Sequence, residues 1–249
     1  MMKKILIFLA LSLSFAFAQL PDLEGRVLNI GSDTTYPPME TINPDTGEVE
    51  GFDVDLMAAL CDLLNCEANF VTTAWDGIFA ALAQGEFDMV VSGVSITEER
   101  DMIVDFSDPY IIVSQAILMR VEDEGITLED YQTGVYRLAA QIGTTNATLA
   151  EDLVGRDRVN LFDNFGAAVL ALQNGDVDGV VIDGTSAGAY EQQFAGELTV
   201  GIKGLQADPL GLVFQEGDEL VDAFNAGIAA LQEDGTLEAL TNKYFNSGE

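Results

Sequence analysis

The chain has no histidine, two cysteines, one tryptophan, and ten lysines and arginines set against 42 aspartates and glutamates. Without histidine, the side chain that most often moves protons at neutral pH is missing, so only a carboxylate is left for such work. Two thiols and no imidazole are also too few for a zinc site, and no cofactor is implied. A formal charge of −32 repels phosphate backbones and anionic lipid heads, which removes nucleic acid and acidic membrane surfaces as partners. Beyond residue 18 no apolar run is long enough to cross a bilayer. No stretch is rich in proline or serine, so nothing reads as a linker between independent beads. What is present is a core. A hydrophobic content of 48% is too high for a disordered acidic chain, and the negative charge is a solvated coat over it.

Lys3 and Lys4, the apolar stretch 5–17 and the small residues of Ala16-Phe17-Ala18 form a secretory signal peptide, too short for a spanning anchor. Residues 1–18 are therefore expected to be removed, leaving a soluble periplasmic protein that begins at Gln19 and does not insert into the membrane. Cys61 and Cys66 would then sit in an oxidising compartment. A helix ending at Leu64, with Asn65 as its left-handed terminal residue, brings the two cysteines into side-chain contact. A disulfide between them is expected; a pair of half-buried thiols is the alternative.

Short apolar runs alternate with segments of helical periodicity. Residues 27–31, 70–72, 89–92, 137–142, 159–162, 179–182 and 210–215 read as strands. Residues 52–64, 75–84, 98–103, 147–153, 165–174, 186–194, 220–232 and 236–245 read as helices. Residues 111–120 form a long extended run able to pass from one half of the molecule to the other. This order argues for two α/β lobes, each a mostly parallel sheet flanked by helices, with the chain crossing between them twice. The lobes are expected to comprise residues 19–112 with 206–249, and residues 113–205.

In open parallel sheets, ligands sit beyond the carboxyl ends of the strands. Asp33 and Tyr36 follow the first strand, Trp75 the next, and Ser92-Gly93-Val94-Ser95-Ile96-Thr97-Glu98-Glu99-Arg100 the third. That last segment reads as a carboxylate trap. Small residues leave the strand-to-helix turn uncluttered, Thr97 caps the helix, and Arg100 offers a planar fork of donors. In the second half, Gly143-Thr144-Thr145-Asn146 follows one strand and Asp183 another. Together these groups suit a zwitterion, with Arg100 and helix N-termini for its carboxylate and Asp33 or Asp183 for its ammonium. Each has a plainer reading: Thr144 as a helix cap, Asp183 as a turn residue, Trp75 as core, Asp33 as an Asx turn. Asp53 and Glu40 lie in segments expected near the side-chain end of such a site.

Several long motifs occur in one order along the chain: Asp33-Thr34-Thr35-Tyr36-Pro37-Pro38, Gly51-Phe52-Asp53-Val54-Asp55-Leu56, the Ser92–Arg100 segment, Val104-Asp105-Phe106-Ser107-Asp108-Pro109-Tyr110, Gly143-Thr144-Thr145, and Asp234-Gly235-Thr236. In these the chain resembles the bacterial periplasmic polar amino-acid-binding proteins, the family 3 solute-binding proteins of ABC importers. The resemblance implies Arg100 and Thr145, helped by Ser95, on a ligand carboxylate, and Asp183 with Ser92 or Gly93 on its ammonium. It implies Trp75 stacked on the ligand side chain, with Asp33, Tyr36 and Gln141 lining that end. It further implies a monomer that hands an amino acid, expected to be polar and cationic, to a membrane permease. The alternative is an exported dehydratase of the cyclohexadienyl type on the same fold.

Overall fold

A computed structural model of the chain describes residues 20–245, so the expected signal peptide, 1–18, lies outside the described residues. Two sheets organise the molecule. In the first, β1 (Arg26–Ser32) is central, with β5 (Cys66–Thr72) and β6 (Met89–Val90) parallel on either side. Two short strands, β14 (Val213–Phe214) and β7 (Asp105–Phe106), extend it antiparallel in the order β5-β1-β6-β14-β7. In the second sheet, β9 (Leu138–Gln141) runs parallel to β10 (Val159–Phe162) and β11 (Gly179–Asp183). There β8 (Ile111–Arg120) and β12 (Leu198–Ile202) complete the order β10-β9-β11-β8-β12.

The crossing is a two-stranded ribbon. The first residues of β8 pair antiparallel with β13 (Ala207–Leu210), from Ser114 opposite Ala207 to Ile111 opposite Leu210. The rest of β8 pairs with β11 and β12, so one ten-residue strand leaves one lobe and enters the other.

Helix α1 (Phe52–Leu64) shows why the first lobe holds together. Its buried residues Phe52, Leu56, Met57, Leu60 and Leu64 recur at helical spacing and form one apolar stripe. That stripe meets α8 (Leu220–Glu233) and α9 (Thr236–Phe245). Gly227 permits the approach, because a Cβ there would lie 2.9 Å from Leu60 Cδ2. The Phe52 ring packs 4.9 Å from Phe245 and 6.1 Å from Tyr110, centre to centre. Burying such a ring contributes about 1.5–3 kcal/mol. Asn65 ends α1 in the left-handed conformation, and a Cys61–Cys66 disulfide ties the helix end to the start of β5.

Several boundaries differ from the sequence reading. Strand β5 starts at Cys66 rather than residue 70, because its first residues are mostly exposed and carry no apolar alternation. The helix expected from Trp75 starts at Ile78 (α2, Ile78–Ala83), after a turn through Gly77 at φ 89°. The single strand expected over 210–215 is two, β13 and β14, separated by Gly211 and Leu212. A small hairpin sheet of β2 (Thr35–Tyr36), β3 (Glu40–Ile42) and β4 (Val49–Glu50) lies where the sequence reading assigned no element. Strand β12 and helix α4 (Leu128–Thr133) were also not foreseen, although Thr127 and Asp130 form the capping box that announces α4. The remaining helices are α3 (Glu98–Asp101), α5 (Thr145–Val154), α6 (Phe165–Asn174) and α7 (Gly184–Gln193).

Candidate ligand site between the lobes

The carboxyl ends of β1, β6, β9 and β11 converge on one cavity between the two sheets. From the first lobe it is lined by Asp33, Tyr36, Trp75, Ser92, Gly93, Ser95 and Arg100. From the second come Gln141, Thr144, Thr145 and Asp183.

One end of the cavity is basic. Thr97 caps α3 by accepting the Arg100 N–H at 3.2 Å, which fixes the backbone carrying the guanidinium. Arg100 is only 9% exposed. Its Nη1 donates to the Ser95 carbonyl at 2.8 Å and its Nη2 to the Gly143 carbonyl at 3.4 Å. The charge lies 5.2 Å from the Trp75 ring centre and 5.4 Å from that of Phe79, within cation–π range. Burial lowers the guanidinium pKa to about 10, opposed by Asp208, Glu99 and Asp183, so it stays charged at neutral pH. Beside it, the Ser95 and Thr145 hydroxyls lie 3.3 Å apart across the cleft. Thr144 caps α5 by accepting the Ala147 N–H at 3.1 Å and donates its own hydroxyl to the Gln141 carbonyl. The Thr145 and Asn146 N–H groups, which open α5, have no partner within the helix and are available to an anion beside Arg100.

The other end is acidic. Asp183 accepts hydrogen bonds from the Tyr36 hydroxyl and, at 3.0 Å, from Asn146 Nδ2. Burial raises its pKa, while those two donors and Arg100 hold the rise down. Asp33 accepts from Gln141 Nε2 at 2.5 Å and from the Thr35 hydroxyl at 2.7 Å. Its own N–H donates to Ser92 Oγ at 3.0 Å. The Tyr36 ring stacks on Phe165, 5.3 Å between centres. With Trp75 Nε1 donating to the Gly143 carbonyl at 3.1 Å, these bonds hold the lobes in contact.

Asp53 is the exception among the residues chosen from the sequence. It does not line the cavity; it lies fully buried behind the wall, where Gly93 N–H donates to its Oδ2 at 2.8 Å. Glu40, also expected near the ligand, is equally buried and accepts the Ser92 hydroxyl at 2.5 Å. The reason is layering. Asp53 sits in the first turn of α1, which packs one layer behind the strand ends. Asn146, part of the Gly143–Asn146 segment, also lines the cavity, and two wall residues were not singled out: Phe165 in the cavity and Phe79 behind Arg100. Phe79 stands four residues after Trp75, and Phe165 follows the Asn164 cap just beyond β10, so both carried a positional signal.

A family model for bacterial extracellular solute-binding proteins, family 3, matches residues 28–247. This chain is a family 3 solute-binding protein. Among relatives of this solute-binding protein, ABC transporter arginine-binding protein 1 of Escherichia coli (strain K12) is 30% identical over 98% of this chain and 99% of its own length. A probable histidine-binding protein of Neisseria gonorrhoeae is 30% identical over 89% of this chain and 84% of its own. Among solved structures, an ancestral arginine-binding protein bound to arginine superposes with a TM-score of 0.83 at 32% identity, covering 89% of this chain and 99% of the other. An ancestral amino acid-binding protein described as a precursor of cyclohexadienyl dehydratase gives 0.80 at 34% identity, over 88% and 95%. The two-lobed fold is common to them.

Proposed function

We propose that this solute-binding protein is a periplasmic receptor that closes on an L-amino acid with a cationic side chain and delivers it to the permease of an ABC importer. The observation that carries this reading is the charge balance of the cavity: one guanidinium, Arg100, against two carboxylates, Asp33 and Asp183. A zwitterion leaves that balance negative, whereas an amino acid with one further positive charge neutralises it. Buried charge that is not paired is costly, so the cavity favours the cation.

In this reading Arg100, with Thr145 and Ser95, takes the ligand carboxylate. Asp183 takes the ammonium, helped by Ser92 or Gly93. Trp75, Tyr36, Asp33, Gln141 and Thr144 surround the side chain. Charge-assisted hydrogen bonds contribute about 1.5–3 kcal/mol each, and exclusion of water on closure strengthens them. Lobe one comprises residues 19–112 with 206–249 and lobe two residues 113–205. The protein acts as a monomer, and it is exported by the segment 1–18. Among the described residues no helix is long and apolar enough to cross a membrane. Two relatives, one named an arginine-binding and one a probable histidine-binding protein, support the cationic class, while another of equal identity is named an L-cystine-binding protein.

Calorimetry with arginine, lysine, histidine, glutamine and glutamate tests the proposal. A cationic amino acid is expected to bind tightest, with glutamine as the main competitor; glutamate or a branched aliphatic ligand in first place overturns it. The dehydratase reading is favoured only by the precursor structure, and product formation from prephenate or arogenate would establish it.

A further inference from the structure

Behind the cavity wall, Glu40 and Asp53 form a carboxyl pair that touches no ligand space. Both are 0% exposed. Glu40 stands on β3, and the Asp53 N–H is tied to the adjoining Met39 carbonyl at 2.9 Å, so the hairpin and the start of α1 hold the two acids together. One oxygen of each reaches forward. Glu40 Oε1 accepts the Ser92 hydroxyl at 2.5 Å, and Asp53 Oδ2 accepts Gly93 N–H at 2.8 Å and the Tyr110 hydroxyl at 3.3 Å. The other two, Glu40 Oε2 and Asp53 Oδ1, are buried with no donor.

Among the described residues no cation answers this pair. The titratable groups that face it are Asp33 beyond β1, Tyr36 on β2 and Tyr110 before β8, all acids or phenols. From α9, Lys243 instead reaches Asp55, at 2.5 Å on the exposed side of α1. Two adjacent carboxylates without a counter-charge cannot both ionise in a dry site. A single proton between Glu40 Oε2 and Asp53 Oδ1 satisfies both orphaned oxygens.

We propose that Glu40 and Asp53 share one proton and serve as a positioning pair for Ser92 and Gly93, which makes ligand affinity and stability sensitive to alkaline pH. The pair works through the cavity wall. Glu40 turns the Ser92 hydroxyl hydrogen backward, leaving that oxygen to accept from Asp33 N–H. Asp53 draws the Gly93 N–H the same way, so the loop presents acceptors toward the ammonium end rather than donors. Removing the proton puts two like charges back to back and loosens this loop. Burial, and after it the neighbouring Asp53, hold the Glu40 carboxyl well above its ordinary 4.5, while burial raises Asp53 to about 6. A carboxyl raised on folding contributes stability below its unfolded pKa. That contribution falls away as pH climbs through the folded value.

The role assigned to Ser92 and Gly93 rests on the proposed amino-acid site, so the test has an arm that needs no ligand. Infrared spectra of ligand-free protein with isotope-labelled glutamate should show the carbonyl band of a protonated carboxyl at neutral pH, absent from Glu40→Gln. Thermal melting of wild type should fall on alkalinisation more steeply than that of Glu40→Gln, whose amide mimics the protonated acid. In calorimetry with L-arginine, wild type should weaken toward alkaline pH more than Glu40→Gln, the ligand's own ammonium titration being common to both. Glu40→Ala, which releases Ser92, should bind roughly tenfold more weakly throughout, the cost of one lost hydrogen bond. Absence of the carbonyl band, parallel pH profiles for wild type and Glu40→Gln, or wild-type affinity in Glu40→Ala overturns the proposal. Failure of L-arginine to bind wild type overturns the cationic reading instead, and leaves the infrared and melting arms to decide the shared proton.

Discussion

The two ends of the cavity are built on different plans. At the basic end, most of what holds Arg100 comes from its own lobe: the Thr97 cap, the Ser95 carbonyl and the rings of Trp75 and Phe79. Among the described residues, the one hydrogen bond Arg100 makes across the cleft is the long contact to Gly143. At the acidic end the holding groups are exchanged between lobes. Tyr36 of the first lobe bonds Asp183 of the second, and Gln141 of the second bonds Asp33 of the first. A guanidinium can thus be held ready before the lobes meet, whereas the acidic end is complete only when they are in contact. Under the proposed function, first capture falls to the carboxylate of the ligand and closure to its positive groups.

The sharpest test of that contrast is Arg100→Ala. Removing one partner of a desolvated charge pair costs about 2–5 kcal/mol, so calorimetry should detect no amino-acid binding while circular dichroism shows an intact fold. Arg100→Lys should recover little, because a point charge replaces the planar fork. Binding within threefold of wild type would make Arg100 a structural residue. Next comes Asp183→Asn, expected to cost about 1.5–3 kcal/mol by loss of the ammonium's counter-charge. Because burial raises the Asp183 pKa above the ordinary carboxylate value, acidification should neutralise it and weaken binding of the wild type, with a flatter acid limb in Asp183→Asn. An unchanged acid limb would assign the ammonium to another group.

Smaller effects separate capture from closure. Tyr36→Phe and Gln141→Ala each remove one bond across the cleft, worth about 0.5–1.5 kcal/mol. If the acidic end forms on closure, both should shift small-angle scattering of the ligand-bound protein toward a larger radius, with the ribbon of β8 and β13 as the hinge. Equal radii with and without ligand in the wild type would remove closure from the account. The smallest effect is expected from Phe79→Leu, which deletes one ring beside the guanidinium at about 0.5–1 kcal/mol and leaves the scattering profile unchanged.

Much of this was legible in the chain because it is local. The alternation of strand and helix follows from periodicity. The Thr97 cap and Arg100 follow from spacing within one segment. The Cys61–Cys66 closure follows from a helix ending at Asn65. The strand-end rule also drew Asp33, Ser92, Thr145 and Asp183 to one cavity. Depth was not legible. Asp53 and Asp33 are both acids beside a motif glycine or strand end, yet one lines the cavity and the other sits behind it. Sequence distance to a strand end does not tell which layer a side chain occupies. The β2–β4 hairpin was missed for a related reason: strands of two or three residues carry no period to detect.

By itself, then, the sequence determined the layered α/β architecture, the export segment as an expectation, and the residue types gathered at strand ends. These are consequences of propensity, capping and apolar repeat, which act over a few residues. Only the tertiary structure decided that Asp33 meets Gln141, that Tyr36 meets Asp183, and that Glu40 faces Asp53 with no cation near among the described residues. Those pairings join residues far apart in the chain. They depend on how two sheets and the ribbon between them are oriented, a geometry no local pattern encodes.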